Sequence, residues 1–310
     1  MPQTPMIIDC DPGVDDAIAL LLAFASPELE ILGITTVAGN VPLALTQANA
    51  RKICEVAQRT DIPVYAGCPR PMLQIPQTAE EIHGKTGLDG TDLPAPTLPL
   101  QPEHAVSFLI QTIDRATTPI TIATLGPLTN VAIALIQSPH IARNIKSIVM
   151  MGGAITLGNV TPAAEFNLYA DPHAADVVFR SGIPITLLSL DVTHQVLTTQ
   201  ERLADLRAIA TPVGQVAADL LSIYGQLDCD RYGMPGAPLH DPNVIAYLLQ
   251  PELYSGKPCH VTVETTSPHS MGQTIIDVWG AAKQPPNATV IQTVHAEGFY
   301  QLLTNRLRSL

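Results

Sequence analysis

Residues 6–16 read MIIDCDPGVDD, a short apolar run followed at once by four aspartates, Asp9, Asp11, Asp15 and Asp16. An apolar, β-rich run that ends in a polar turn and leads into a helix is typical of a parallel sheet whose strands are buried on both faces. In such proteins ligands bind beyond the carboxyl ends of the strands. We therefore expect a functional site where this first strand ends.

The rest of the chain continues the alternation of short strands and helices. Strands are predicted at residues 6–9, 31–36, 120–125, 147–151 and 184–190, and helices at 15–25, 43–59, 128–137, 174–180, 243–249 and from about 297. Residues 259–264 and 274–278 alternate like an antiparallel hairpin. The expected fold is α/β, a doubly wound, mostly parallel sheet with flanking helices and a small antiparallel addition near the C-terminus.

Composition places the chain among globular proteins. Its 310 residues are 46% hydrophobic and 14% charged, enough to bury a large core, and we expect a single domain spanning residues 1–310. Apolar runs such as 17–25 and 183–190 are too short to span a bilayer, and residues 1–5 lack the basic start of a secretory signal. We expect a cytoplasmic protein with no membrane partner.

Charge and cysteine usage narrow the partners. The net charge is −12 with only 16 Lys and Arg, which argues against nucleic acid as a partner. The five cysteines are widely scattered, without a CxxC pair, so neither a zinc site nor a redox motif is indicated. Small neutral substrates, or substrates bridged by a cation, remain open.

The aspartates of residues 9–16 point to a metal ion. So many like charges at one turn are unfavourable unless a cation or hydrogen bonds compensate them, and carboxylate oxygens favour calcium or magnesium over zinc. Asp15 and Asp16 could simply favour a helix N-terminus. That reading does not account for Asp9 and Asp11 at the end of an apolar strand.

Other polar motifs lie at predicted loops and strand ends. His240 and Asp241 precede Pro242, which alone would indicate only the start of a helix with an aspartate cap. TLGPLTN, residues 124–130, has a Gly-Pro turn whose carbonyls could bind a hard cation. GNVTPAAEFN, residues 158–167, offers Glu165 and Asn167 for hydroxyl groups. A long loop at residues 69–102 contains HGKTGLDG, and a loop of that length usually has a function.

Taken together and in this order, the motifs resemble those of the inosine-uridine nucleoside hydrolase family. The resemblance runs over essentially the whole chain, through DCDPGVDD, AGN, HGKTGLDG, TLGPLTN, MGGA, GNVTPAAEFN and GAPLHDP. It implies a calcium-dependent enzyme that hydrolyses the N-glycosidic bond of ribonucleosides. It also implies a role in purine and pyrimidine salvage and a homo-oligomer, either a dimer or a tetramer.

The resemblance assigns a role to each acidic motif. Asp11, Asp16, Asp241 and the main-chain carbonyl of Leu125 match the family's calcium ligands. Asp11 would also be the general base that activates the metal-bound water. Asp15 would hold a ribose hydroxyl, and Asp9 would orient the cluster from behind.

The resemblance also assigns the sugar contacts. Asn40, Asn159, Glu165 and Asn167 would bind ribose, the last three near its 5′ hydroxyl, and Met151 would lie beneath the ring. Without the other motifs, Asn40 and Asn159 would be read as ordinary turn asparagines beside glycine, and Met151 as a core residue.

Two histidines would face the nucleobase. His240 would protonate or hydrogen-bond the departing base, and His83 would contact it, a pairing that resembles pyrimidine-preferring or mixed members of the family. Close pyrimidine-cleaving relatives often carry histidine where this chain has Val14. Further base contacts are predicted at Tyr224, Asp228 and Tyr232, in a segment that matches the family pattern less well.

Two alternatives to a nucleosidase stay open at this point. One is a metal-dependent phosphohydrolase, because DCD after an apolar strand looks like the DxD start of the haloacid dehalogenases, although Gly13 stands where that family expects Thr or Val. The other is a nucleoside- or ribose-binding protein without turnover. A binder would not need a base beside a metal-bound water.

Overall fold

The computed structural model describes residues 3–224, 229 and 233–310. Over these ranges the strands, in chain order, are β1 (Thr4–Cys10), β2 (Leu29–Thr36), β3 (Val64–Ala66), β4 (Ile120–Thr124), β5 (Ile145–Met151), β6 (Ile185–Leu188), β7 (Leu197–Thr198), β8 (Ala237–Pro238), β9 (Tyr254–Val263), β10 (Thr274–Asp277) and β11 (Ala288–Val294).

The α-helices within the same ranges are α1 (Val14–Phe24), α2 (Leu43–Val56), α3 (Glu80–His83), α4 (Ala105–Arg115), α5 (Thr129–Gln137), α6 (Phe166–Ala170), α7 (Pro172–Phe179), α8 (Leu190–Thr193), α9 (Gln200–Arg207), α10 (Pro212–Ile223), α11 (Pro242–Leu249) and α12 (Ala296–Leu307). No helix among the described residues is both long and apolar enough to cross a lipid bilayer.

A nine-stranded sheet, counted over the described residues, has the order β10-β9-β11-β6-β5-β4-β1-β2-β3. Strands β1 to β6 pair in parallel, and β11 pairs in parallel with β6. Strand β9 pairs antiparallel with both β11 and β10. Because the carboxyl ends of parallel strands meet at one edge, the loops after β1, β2, β4, β5 and β6 converge there.

Apolar side chains cover the sheet on both faces. Alternate residues of a strand point to opposite faces, so Met6 and Ile8 of β1 belong to one apolar cluster and Ile7 to the other. Helices α1, α2 and α9 to α12 contribute to the first cluster, and α4, α5 and α7 to the second. Helix α1 is buried along its whole length, which fixes the chain directly after the aspartates of β1.

The doubly wound fold predicted from the sequence is confirmed, although several of its elements were not predicted, among them β3, α4, α9 and α10. The loop at residues 69–102 contains the short helix α3, which was not predicted from the sequence. Strand β11 is likewise not predicted, and it joins the C-terminal hairpin to the parallel sheet. The antiparallel addition therefore extends the main sheet, while β7 and β8 form a separate two-stranded sheet.

Candidate active site

Asp11 lies directly beyond β1 at the bottom of the site. Its Oδ2 accepts the backbone N–H of Asn40 at 2.7 Å, and its own backbone N–H donates to Asp16 Oδ1 at 3.2 Å. A Cβ atom at Gly39 or Gly126 would collide with the Asp11 carboxylate, so only glycine allows these two loops to close around it. Asp11 is fully buried, and its side chain is held from several sides.

Asp16 ties the start of α1 to the loop after β2. Its Oδ2 accepts the Gly13 backbone N–H and the Asn40 side-chain amide, both at 3.0 Å. The same Asn40 amide donates to the Asp11 carbonyl at 3.2 Å. Asn40 thus bridges the two aspartates, which is a positioning role in addition to the predicted sugar contact.

Asp241, which is distant in the sequence, joins Asp11, Asp15 and Asp16 in a group of buried aspartates that we call the acidic floor. Carboxylate oxygens of Asp15, Asp16 and Asp241 all lie within 4.8 Å of one another, and all three residues are buried. The backbone N–H of Asp241 donates to Asp15 Oδ2 at 3.4 Å. The structure therefore brings the HDP motif against DCDPGVDD, as expected from the sequence.

Burial and mutual repulsion perturb these carboxyl groups. Burial, followed by the charge of Asp16, raises the pKa of Asp11 well above its ordinary value, and burial with neighbouring Asp15 does the same for Asp241. Burial raises the pKa of Asp16 to about 7. Oδ1 of Asp11 is buried and has no hydrogen-bond partner among the described residues. A divalent cation with oxygen ligands would supply the compensating charge, so the cluster fits a metal site.

Asp9 lies behind this cluster. Its Oδ1 accepts hydrogen bonds from the Thr35 hydroxyl at 2.5 Å and the Asn130 amide at 2.8 Å, and burial raises its pKa to about 7. Asn130 also donates to the Thr36 carbonyl and accepts from the Cys68 backbone N–H. These contacts connect β1 to β2 and α5. Thr35 was not predicted from the sequence, because nothing marks a neutral polar residue inside a strand.

The Leu125 carbonyl faces the site beyond β4. It accepts the side-chain amide of Asn167 at 2.8 Å, and the second lone pair of a carbonyl oxygen can take a further partner. The same amide lies 3.5 Å from the sulfur of Met151 at the end of β5. Asn167 therefore contacts both the predicted metal ligand, the Leu125 carbonyl, and Met151, which is predicted to lie beneath the ribose.

Glu165 holds the loop after β5. Its carboxylate accepts backbone N–H groups of Gly153 and Asn167 at 2.8 Å and of Leu168 at 3.2 Å, so it also caps α6. Burial raises its pKa to about 7 although these three hydrogen bonds favour the charged form. Asn159 Oδ1 accepts the Phe166 backbone N–H at 3.0 Å. Glu165 and Asn159, which were predicted to bind the sugar, thus also use their side-chain oxygens to hold this loop in shape.

The two histidines lie beside the aspartates: His83 Nδ1 is 3.9 Å from Asp15 Oδ1, and His240 directly precedes Asp241. His83 accepts the Val14 backbone N–H on Nδ1 at 3.1 Å, and its ring centre lies 5.5 Å from that of Tyr224. His240 Nδ1 is 2.8 Å from the Thr193 hydroxyl. Burial lowers the pKa of His83, and it lowers the pKa of His240 to about 4.

An open cavity with about 730 Å³ of empty space lies beside these groups, and Asp9, Asp11 and Asp16 are not among the residues that line it. The predicted site residues that line it are Asp15, Asn40, His83, Leu125, Met151, Asn159, Glu165, Asn167, Tyr224, His240 and Asp241. Thr78, Ile82, Val160 and Phe166 also line it and were not predicted. Asp228 and Tyr232, predicted as base contacts, lie outside the described residues.

Comparisons with known proteins agree with this geometry. The family model described as inosine-uridine preferring nucleoside hydrolase matches residues 6–301. The chain belongs to this family. A curated relative, the pyrimidine-specific ribonucleoside hydrolase RihA of Photobacterium profundum, is 48% identical over 304 residues, which cover 98% of each chain.

Two solved nucleoside hydrolases share the fold over nearly the full length. A plant nucleoside hydrolase superimposes with a TM-score of 0.91 at 34% identity, covering 99% of both chains. A purine-preferring ribonucleoside hydrolase from Gardnerella vaginalis superimposes with a TM-score of 0.92 at 32% identity, covering 98% of both. This nucleoside hydrolase is therefore an N-glycosyl hydrolase, and the phosphohydrolase and non-catalytic alternatives are set aside.

Proposed function

We propose that this nucleoside hydrolase uses calcium and water to split ribonucleosides into ribose and free base, with a preference for pyrimidine nucleosides. The observation that carries the proposal is the group of buried aspartates, Asp11, Asp15, Asp16 and Asp241, next to a cavity that is also lined by two histidines. The floor suits a cation and a ribose. The histidines suit a nucleobase.

Asp11, Asp16, Asp241 and the Leu125 carbonyl would hold the calcium ion. When bound, the ion supplies positive charge that makes a nearby water more acidic and attracts the ribose hydroxyl oxygens. Asp15 lines the cavity as well as touching the cluster, and we assign it to a ribose hydroxyl.

Asp11 is the general base in this proposal. Its Oδ2 is held by the Asn40 N–H, while its Oδ1 has no donor among the described residues and can accept the proton of the attacking water. Asn40 fixes the carboxylate through this hydrogen bond, and Asp16 fixes the Asp11 backbone by accepting its N–H. Asp9 steadies β1 through Thr35 and Asn130.

The remaining polar residues would orient the substrate. Asn159, Glu165 and Asn167 would meet the 5′ side of the ribose, above Met151. His240 would donate a hydrogen bond or proton to the base, because negative charge accumulates there as the bond to an oxocarbenium-like ribosyl carbon breaks. His83 and Tyr224 would contact the base, together with Asp228 and Tyr232.

The pyrimidine preference rests on the relatives. The 48%-identical relative is named as pyrimidine-specific, whereas the purine-preferring enzyme is 32% identical. A small set of pocket residues decides between bases, so the preference is best tested directly.

The test is release of reducing sugar from uridine, cytidine and inosine, each at several concentrations. We expect ribose from all active substrates, higher kcat/KM for uridine and cytidine, loss of activity after treatment with a chelator, and recovery with calcium in preference to magnesium. Release of no ribose by calcium-loaded enzyme would refute the function. Faster cleavage of inosine would refute the preference alone.

Assembly and location complete the proposal. We expect a homodimer or homotetramer in the cytoplasm that serves nucleoside salvage, with no nucleic-acid or membrane partner. The net charge of −12 supports the absence of nucleic acid. Light scattering on the purified protein measures the assembly, and a monomer would contradict it.

A further inference from the structure

Each histidine of the base site has a fixed hydrogen-bond partner on Nδ1, the ring nitrogen nearer the backbone. A neutral imidazole carries one proton, so the partner of one nitrogen decides whether the other nitrogen is a donor or an acceptor. For both rings, the partner of Nδ1 indicates which nitrogen carries the proton. The protonated nitrogens in turn decide which bases the site can hydrogen-bond.

For His83 the partner is a backbone amide. The Val14 N–H, at the start of α1, donates to Nδ1 at 3.1 Å. A backbone N–H can only donate, so Nδ1 must be the unprotonated nitrogen. The proton is then on Nε2, and a doubly protonated ring would place two N–H groups against each other.

For His240 the partner is the Thr193 hydroxyl, 2.8 Å from Nδ1. The hydroxyl proton has one other acceptor within reach among the described residues, the Leu190 carbonyl at 3.4 Å, which is longer than an ordinary O–H···O bond. We therefore assign the hydroxyl proton to Nδ1, the partner at the shorter distance, which leaves the ring proton of His240 on Nε2.

We propose that Val14 N–H and the Thr193 hydroxyl fix His83 and His240 as neutral Nε2–H tautomers, so that the site offers two N–H donors to the nucleobase. The inference rests on the proposed function and deepens it. The preferred substrates are ribosides whose base presents acceptor atoms, carbonyl oxygens or ring nitrogens, to both histidines. Thr193 is a positioning residue, since it acts through His240.

Burial agrees with this assignment. Both rings are almost fully enclosed, and burial lowers the pKa of each while the charge of Asp15 acts in the opposite direction. The tautomers themselves do not depend on these shifts, because they follow from which partner donates.

The first test is nitrogen NMR on calcium-loaded enzyme with 15N-labelled histidine, at neutral pH. The signals are assigned by their loss in His83→Asn and His240→Asn. Both rings should show an unprotonated Nδ1 and a protonated Nε2. A protonated Nδ1 on either ring overturns the proposal. The measurement is independent of turnover, so it stands apart from any failure of the proposed function.

The second test removes the donor to His240. Thr193→Val should lower kcat for uridine by roughly 3- to 10-fold, the range expected for one ordinary hydrogen bond. It should leave the hydrolysis of nitrophenyl riboside, whose leaving group needs no donor, within about 2-fold. Thr193→Ser keeps the hydroxyl and should restore uridine turnover. Equal losses on both substrates would overturn the positioning role.

Thr46→Val is the matched control. Thr46 is fully buried in α2, and its hydroxyl donates to the carbonyl three residues earlier, Leu43. It contacts neither histidine in any described hydrogen bond. Its replacement should not change the ratio of the two substrates.

Val14→Pro removes the donor to His83. Val14 is the first residue of α1, where proline is well tolerated, and Gly13 before it has the extended backbone that proline requires. In the spectrum of this variant, His83 should show the form with the proton on Nδ1 in addition to the Nε2–H form. Val14→Ala keeps the N–H and should keep the tautomer. An unchanged His83 signal in Val14→Pro would overturn this half of the proposal.

Discussion

The acidic floor of the site and the residues assigned to the nucleobase, here called the base end, are built in different ways. The acidic floor comes from closely spaced residues at the end of β1, joined by one distant residue, Asp241, and its carboxylates are buried. The base end is assembled from four separate parts of the chain, around His83, Thr193, Tyr224 and His240. The floor can therefore perform the same chemistry on any riboside, while the base end can change with its loops.

The largest effect should come from the floor. Asp11→Asn keeps the size of the side chain but cannot accept the proton, so kcat for uridine should fall by at least about 10² to 10⁴-fold, and Asp11→Ala should fall further. Both uridine and nitrophenyl riboside should suffer equally, because the attacking water is common to them. Ribose release from both substrates measures this.

Asp61→Asn serves as its control, since Asp61 is a surface residue paired with Arg59. Near-normal turnover in Asp11→Asn would show that another group takes the proton. A loss confined to uridine would contradict the assignment of water activation to the acidic floor and of leaving-base activation to the base end.

An effect on only one of the two substrates is expected at His240. His240→Ala should lower uridine turnover by roughly 10² to 10⁴-fold, as for a positioned acid or donor. Nitrophenyl riboside leaves as a stable anion, so its rate should change little. Equal losses on the two substrates would mean that His240 supports Asp241, its neighbour in the sequence, instead of the leaving base.

His83→Ala should have a still smaller effect. Its hydrogen bond to the Val14 N–H anchors the ring, and its other edge serves one contact with the base. We expect losses of about 10-fold that differ between uridine, cytidine and inosine. Uniform losses for all three, measured as kcat/KM, would assign His83 to folding of the loop and not to base selection.

The sequence predicts the floor better than the base end for a physical reason. Carboxylates directly after an apolar strand have no common structural explanation, so Asp9 and Asp11 stand out, and the resemblance assigns Asp11, Asp16, Asp241 and the Leu125 carbonyl to the metal. Thr193 belongs to a four-residue helix and carries no local signal. Its role depends on packing against His240, 47 positions further along the chain.

The fold shows the same contrast. Strands β1, β2, β4, β5 and β6 are short apolar runs and were predicted close to their observed bounds. The β-branched run of β11 is a strand signal that was not recognised from the sequence, and its pairing with β6 and β9 is decided by tertiary contacts. Helix α3 has only four residues, too few for a periodic pattern, although it carries His83 into the site.

The smallest effect concerns Glu165, which caps α6 beside the cavity and should be visible in stability rather than turnover. Its pKa in the folded chain is about 7 against an ordinary value of 4.5, so the folded state binds the extra proton between these values. The free energy of unfolding that this group contributes therefore falls as pH rises from about 4.5 to about 7. In Glu165→Gln the side chain stays neutral, so its contribution to the free energy of unfolding does not change with pH.

The variant is compared with the wild type at each pH, so that every other titrating group cancels. In Glu165→Gln, an amide with one oxygen replaces the two carboxylate oxygens. The variant therefore lacks an acceptor either for the Asn167 N–H or for the N–H groups of Gly153 and Leu168, which lowers its stability at all pH values alike. The difference in Tm, variant minus wild type, should nevertheless rise between pH 5.5 and 8, by an amount equivalent to at most roughly 2 kcal/mol. Thermal unfolding in calcium-containing buffer measures it. A flat difference would show that Glu165 is ionised throughout, and the carboxylate would then be stabilised by its three N–H donors more strongly than burial opposes it.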